Sequence, residues 1–337
     1  MEIEGTILTG RDFEPVSGRI VVSNGRISAI ETTTVSSDSI VIPSFVNAHT
    51  HIGDSIAKEA GSDLTLQELV APPDGLKHRI LRNADRATLI DGMHRSIRFM
   101  ADTGTGTFID FREGGVAGVT ALQAAAESLP VEPIILGRDD LAILDEADGY
   151  GASGAADADF TDERRQTKAA DKLFGIHAGE HDPGDIDPAL ALDPDFLVHC
   201  VTATSTHLDQ IESRNIPVVV CPRSNMATGV GLPPIDELVS RTTVALGTDN
   251  VMLSSPSMFR EMAYVDFVTE LPATTILGMA TWAGAAILGS NAGVIAEGAP
   301  AKLTILDGNS DNLAGSRDVV RSIVRRAGPT DIERVLW

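Results

Sequence analysis

His49-Thr50-His51 follows directly on an apolar, strand-like run, Ile40-Val41-Ile42-Pro43-Ser44-Phe45-Val46. On an extended segment, residues i and i+2 point to one face, so both imidazoles can reach the same metal ion from one strand end. A lone HxH arises often by chance. Here four further groups follow in order: His177-Ala178-Gly179-Glu180, His199, Cys221-Pro222-Arg223-Ser224-Asn225 and Gly247-Thr248-Asp249. Each also stands just after an apolar run. Ligating residues repeated at the ends of successive buried strands demand a fold that gathers strand C-termini around one point.

The stretches between these groups fit that demand. From Val41 onward, strand-like runs alternate with helical ones, the texture of a parallel βα architecture. Val41 to Asn47 reads as the first strand, Thr105 to Phe111 as the second and Pro133 to Gly137 as the third. The fourth is weakly marked, either near Leu141 to Leu144 or distorted by the Gly149 to Gly154 loop. Leu173 to His177, Phe196 to Cys200, Pro217 to Cys221 and Thr243 to Gly247 read as the remaining four. Between them, Asp85 to Asp102 carries Leu89, Ile90, Met93, Ile97 and Met100 at helical spacing. Val116 to Ser128, Thr161 to Lys172 and Ser205 to Ser213 are further helices, the second with Thr161-Asp162-Glu163 as a capped start. The expected fold class is α/β, a (β/α)8 TIM barrel over residues 43–291 with its functional groups at the strand C-termini.

Residues 1–42 have a different texture. Ile3 to Leu8, Arg19 to Ser23 and Arg26 to Ile30 read as strands, with Asn24-Gly25 as a tight hairpin turn. Strand texture returns at Ala301 to Asp307 and Asp318 to Arg325. Residues 1–42 and 292–337 are therefore expected to pair as a small composite β-sandwich flanking the barrel.

Composition narrows the class of function. The 337 residues carry a net charge of -22, with 30 Asp against 18 Glu and 21 Arg against 5 Lys, spread along the chain. A spread acidic surface poor in lysine suits concentrated salt, where self-repulsion is screened. It reads as halophilic adaptation, with a merely acidic mesophilic protein as the alternative. No basic stripe is present to neutralise phosphates, so nucleic acid is not an expected partner. No apolar run approaches the roughly 18 residues of a membrane span. Met1 to Gly5 lacks the basic start and apolar stretch of a signal peptide. A cytoplasmic enzyme without a membrane partner is the expectation. Cys200 and Cys221 make no disulfide framework and read as small buried apolar side chains.

In chemical terms, His49, His51 and His177 offer nitrogen donors and Asp249 an oxygen. This mixed set suits one divalent ion, Zn2+ or Fe2+, with a position left for water. His177 and Glu180 are three residues apart on a turn, so the histidine can bind metal while the carboxylate reaches the substrate. His78, His94, His181 and His207 read as ordinary structural histidines.

The ordered motifs resemble the amidohydrolase superfamily, in the branch of cytosine deaminase, triazine hydrolases and S-adenosylhomocysteine-type deaminases. Gly293-Val294-Ile295-Ala296-Glu297-Gly298-Ala299-Pro300-Ala301 is similar to that branch's C-terminal G-x-I-x-x-G-x-x-A strand signature, so the resemblance spans nearly the whole chain. It implies that Asp249 also takes a proton from the attacking water. It implies that Glu180 shuttles a proton to a ring nitrogen and then to leaving ammonia. His199 resembles the histidine that holds the hydroxide or tetrahedral intermediate, or it is itself a ligand. A dinuclear site of this superfamily would need a carboxylated lysine on the fourth strand. No lysine lies between Gly115 and Thr167, so one metal is expected.

Asn225 resembles a branch motif at the pocket rim. Asp54 is placed to line the entrance, and Arg112 and Glu113 to bind a polar substrate or to form a salt bridge. The expected activity is metal-dependent deamination of a small amino-substituted N-heterocycle. Hydrolysis of a cyclic amide or carbon–halogen bond, and a non-catalytic metal-binding barrel, are the alternatives. A homo-oligomer is compatible with the resemblance.

Overall fold

The computed structural model describes residues 1–61, 63–70 and 74–337. The chain begins with β1 (Glu2–Thr9), β2 (Glu14–Ser23), β3 (Arg26–Thr32) and β4 (Ser39–Pro43). A second series follows: β5 (Phe45–His51), β6 (Thr105–Arg112), β7 (Glu132–Gly137), β8 (Gly149–Ala152), β9 (Leu173–Ala178), β10 (Phe196–His199), β11 (Val218–Val220), β12 (Val244–Leu246) and β13 (Asp249–Asn250). The chain ends with β14 (Leu303–Asp307) and β15 (Ile332–Leu336).

The second series pairs in parallel, in the order β12-β11-β10-β9-β8-β7-β6-β5-β13. Because β13 continues from β12 and pairs with β5, with Asp249 opposite Thr50 and Asn250 opposite His51, the sheet closes on itself as a barrel. Asn47 locks the closure. Its carbonyl accepts from Thr248 N at 3.0 Å and its amide donates to Thr248 Oγ1 at 2.7 Å.

The terminal strands form one six-stranded mixed sheet, β15-β14-β4-β1-β2-β3. The Asn24-Gly25 turn joins β2 to β3 with Ser23 opposite Arg26, both turn residues having positive φ (51° and 71°), as a two-residue hairpin requires. β4 shows how this sheet meets the barrel. Ile40 and Ile42 pack with Phe45, Ile97 and Phe108 of the barrel layer, whereas Val41 packs with Ile3, Ile7, Ile20 and Leu303. Successive residues of a strand face opposite sides, so both faces of β4 are buried.

Four local readings are corrected. Val41 to Asn47 is not one strand, because the chain changes sheet at Ser44, whose N–H bonds Lys302 O at 3.0 Å. The fourth barrel strand is Gly149–Ala152, and Leu141–Asp145 is a 3-10 turn. Glycine obscures that strand for a packing reason: a Cβ on Gly149 would meet Leu173 O at 2.1 Å, and one on Gly151 would meet the Phe111 ring at 2.6 Å. Val319–Arg325 is a helix, N-capped by Asp318, which accepts from Arg321 N at 2.9 Å. Gly293 to Ala301 contributes no strand, but its carbonyls bind the first sheet through Gly10 N→Ile295 O and Ile27 N→Ala299 O, both 3.0 Å. Among the described residues no helix is long and apolar enough to cross a membrane.

The closure generates a first prediction. Asn47→Ala removes both side-chain bonds across the seam, leaving the buried Thr248 N–H only its bond to His49 O, and should cost about 2 kcal/mol of stability. Urea unfolding of metal-free protein checks this, and an unchanged midpoint would show that the seam closes without Asn47.

Candidate active site

The barrel order brings the ligating side chains to one point. His49 and His51 end β5, His177 lies on β9, His199 ends β10 and Asp249 opens β13. The helix Pro222–Ala227, just after β11, supplies Ser224 and Asn225. Close approach is needed at Gly247, where a Cβ would stand 2.7 Å from His49 Cβ and 2.9 Å from His49 N. His199 (φ 79°) and Asp249 (φ 56°) both occupy the left-handed region. For non-glycine residues this costs on the order of 1 kcal/mol each, so the surrounding bonds must hold them there.

Those bonds also set the ring tautomers. His51 Nδ1 donates to Phe111 O (3.1 Å) and His177 Nδ1 to Ala152 O (2.9 Å). Each Nε2 is thereby left with a lone pair, and the two Nε2 atoms face one another at 3.4 Å. His49 Nε2 stands 3.3 Å from Asp249 Oδ1, and His51 Nε2 stands 3.7 Å from the same oxygen. His49 Nε2 and Asp249 Oδ1 are buried and have no hydrogen-bond partner among the described residues. Facing lone pairs beside an orphaned carboxylate oxygen repel unless a cation sits among them, so the residues fit a divalent metal. The donor atoms of His49, His51 and Asp249 lie within 4.8 Å of one another, as do those of His49, His177 and His199 and those of Glu180, His199 and Asp249.

Electrostatics prepares the same state. Burial holds His49 and His177 neutral and pulls His51 down to about 3, with the Lys77 ammonium adding to the effect on His51. Burial alone would raise the Asp249 carboxyl, but the His49 ring nitrogen 3.3 Å away and the neighbouring histidines hold it well below the usual range. Ser224 Oγ donates to its other oxygen at 2.6 Å. Neutral imidazoles and an ionised carboxylate are the forms that bind metal.

Glu180 faces this cluster from the turn after β9. Its Oε2 lies 3.7 Å from His199 Nε2, and burial raises its carboxyl pKa. The Asn225 amide stands 3.0 Å from His199 Nδ1 and orients that ring from behind. A polar pocket of about 300 Å³ opens over the cluster, with His51, Lys77, Glu113, Arg138, Glu180 and Asp249 in its wall. Glu113 lines it, paired there with Lys77. Asp54 and Arg112 do not: Asp54 is buried behind it, accepting from Met252 N at 3.0 Å, and Arg112 is turned onto Glu113 Oε2 at 2.5 Å. His78 and His181 border the pocket, while His94 bonds Ala125 O and His207 caps its own helix.

Two wall residues escaped the sequence reading. Arg138 directly follows β7, so the strand-end rule applied at the other strands points to it as well. Lys77 gave no such signal, since it sits in the polar helix Leu76–Asn83. It is nonetheless buried, its ammonium 2.9 Å from Glu113 Oε1, 3.1 Å from Asn250 Oδ1 and 3.8 Å from Asp54 Oδ2. Glu113 in turn stands 3.0 Å from His51 Nδ1, so a buried ionic chain runs from that helix to a donor of the cluster.

The amidohydrolase family model matches residues 40–171 and 141–332. The chain belongs to the amidohydrolase family. An uncharacterized protein of Methanocaldococcus jannaschii is 34% identical over 98% of this chain and 96% of its own length. A 5-methylthioadenosine/S-adenosylhomocysteine deaminase of Halobacterium salinarum is 26% identical over 99% of this chain and 87% of its own length. In fold, the chain is similar to a zinc-bound adenosine deaminase from Xanthomonas campestris, at a TM-score of 0.85 and 21% identity, covering 99% of this chain and 91% of that one. Family membership and the donor clusters together describe a metal-dependent hydrolase site.

Lys77→Met should destabilise the protein by about 3 kcal/mol, because it leaves the buried Glu113 Oε1 without its ammonium while Arg112 engages only Oε2. The double variant Lys77→Met/Glu113→Gln should recover part of that loss. Additive costs in a double-mutant cycle would show the pair to be uncoupled. Asp54 gives a pH signature. Burial outweighs the nearby ammonium and raises its carboxyl from 3.8 to about 8. The folded state thus keeps a proton that the unfolded chain releases. The resulting stability is complete below about pH 4 and lost as pH rises to about 8, at up to about 1.4 kcal/mol per pH unit. Asp54→Asn should flatten that slope in unfolding midpoints measured from pH 5 to 8; parallel curves for the two proteins would refute the assignment.

Proposed function

We propose that this protein is a metal-dependent aminohydrolase that releases ammonia from an amino-substituted N-heterocycle. The observation that carries the reading is Glu180. It is a carboxyl raised by burial, aimed at the same point as His199 and Asp249, with its donor atom within 4.8 Å of theirs. His49, His51, His177 and Asp249 would hold one divalent ion, Zn2+ in the first instance and Fe2+ as the alternative. Such an ion lowers the pKa of a bound water toward neutrality.

The chain's own groups then divide the proton work. Asp249 accepts a proton from the water as its oxygen forms a bond to the amino-bearing ring carbon. Glu180, whose carboxyl pKa burial raises, donates to the adjacent ring nitrogen and so makes the carbon electrophilic. His199, oriented by Asn225, hydrogen-bonds the oxygen that has added to the ring. The Glu180 carboxylate so formed takes the proton of the added hydroxyl and passes it to the exocyclic nitrogen, the C–N bond breaks with loss of ammonia and leaves the ring carbonyl, and the proton held by Asp249 returns to Glu180. Glu113, in the wall beside Lys77, is placed to meet ring substituents.

Deamination needs an acid that first protonates a ring nitrogen and then serves the departing amine, whereas a halide leaves without a proton and a cyclic amide has no amidine nitrogen to activate. The placement of Glu180 therefore favours deamination over those reactions. The complete donor set argues against a non-catalytic barrel.

The test is ammonia release by metal-loaded protein in molar KCl, across aminated pyrimidines, purines, pterins and triazines. One ring class should release ammonia. Glu180→Gln should lose about 10²- to 10⁴-fold in rate while retaining one metal per chain by elemental analysis. A metal-replete protein silent on every ring, or a Glu180→Gln variant of full activity, would reject the reading.

A further inference from the structure

A second cavity, of about 580 Å³, adjoins the metal pocket. The two share four wall residues, His78, Glu113, Arg138 and Ser153, which form a neck between them. Beyond the neck the character of the wall changes. Leu81 and Leu89, Met93, Ala121, Tyr150 and Phe160 come from the helices Leu76–Asn83, Arg86–Asp102 and Gly115–Ala126, from β8 and from the residue preceding the helix Thr161–Ala169. Met93, Ala121, Tyr150 and Phe160 are buried. Charged side chains other than those near the neck, such as Arg86, lie on the exposed outer rim.

The neck holds an unsatisfied donor. Arg138 is 8% exposed and stacks at 5.5 Å over the Phe111 ring, and its buried Nε and Nη2 have no hydrogen-bond partner among the described residues. Buried guanidinium donors left unpaired are costly, so the neck is built for an acceptor that arrives with a ligand. The inner pocket alone, at about 300 Å³, accommodates a small heterocycle. The outer cavity is larger, and its apolar wall offers nothing that a bare base would use.

Building on the function proposed above, we infer that the substrate has two parts: an amino-heterocycle in the metal pocket, and an apolar aryl or branched-alkyl arm in the outer cavity, joined by an oxygen-bearing linker that accepts from Arg138. The cavity then sets specificity through the arm, since burying an aryl group the size of a phenylalanine side chain is worth roughly 10- to 100-fold in affinity. A charged arm gains nothing from these walls and loses its hydration.

Calorimetry on the full chain tests this without requiring turnover. The probes are 9-methyladenine, 9-(benzyloxymethyl)adenine, an adenine bearing a carboxypropyl arm at the same position, and benzyl methyl ether as the arm alone. The benzyloxymethyl compound should bind at least tenfold more tightly than the methyl compound, and the carboxypropyl compound no more tightly than the methyl one. Ala117→Phe at the rim and Ala121→Leu in the wall should each reduce the benzyl advantage to under threefold. If adenine proves the wrong ring and none of the bases binds, benzyl methyl ether decides the matter: binding that both variants abolish supports the cavity, and no binding overturns it. A benzyl advantage that is absent, or that survives both variants, overturns the inference, as does tighter binding of the carboxypropyl arm. An arm that binds as expected on a protein that deaminates no ring would leave the cavity standing and reject the deaminase reading instead.

Discussion

The site depends on the seam between β5 and β13. His49 and His51 come from the first barrel strand and Asp249 from the segment that follows the last, 200 residues later in sequence. Only barrel closure brings them together. Asn47 spans the seam with both ends of its amide, and Thr248 N–H also bonds His49 O at 3.0 Å. An open sheet of the same strands would place these donors on opposite edges. The same bonds hold Asp249 in a left-handed conformation that an unconstrained aspartate seldom adopts.

Around this seam the protein separates neutral from charged groups. The imidazoles of His49, His51 and His177 are kept uncharged by burial, whereas the carboxylates of Asp249 and Glu113 are kept ionised by their partners. In a chain of net charge -22, Lys77, Arg112 and Arg138 are cations buried beside the pocket. Lys77 and Arg112 both compensate Glu113, which braces His51. Such networks seldom add much stability, because desolvation offsets attraction. Their value here is directional: one ring nitrogen is tied down and the other is presented.

Much of this was legible before any coordinates. The alternation of apolar runs and helical periods predicted the barrel, because parallel strands buried on both faces are continuous in hydrophobicity. The strand-end position of each polar motif predicted which side chains would converge. The misreadings have specific physical causes. β8 is written in glycine because neighbouring backbone and the Phe111 ring leave no room for side chains. β4 and β5 read as one strand because Ile40 to Val46 is an apolar run broken only by Ser44, and only the partners on either side of Ser44 separate them. Val319–Arg325 carries branched residues that suit a strand, but Asp318 caps it as a helix and tertiary packing decides. Asp54 follows its strand as an entrance residue would, yet it is drawn inward onto Met252 N, and Arg112 takes the salt-bridge alternative, on Glu113.

The sequence by itself determined the fold class, the inward-facing donors and the spacing of Glu180 from His177, since each depends on a local period or a short separation along the chain. The tertiary structure decided what lies between distant segments: the insertion of Lys77, the unpaired donors of Arg138 at the neck, and the apolar cavity beyond it. Pairing and unpairing across a pocket depend on the distance between chain segments that share no pattern, and no periodicity in the sequence encodes that distance.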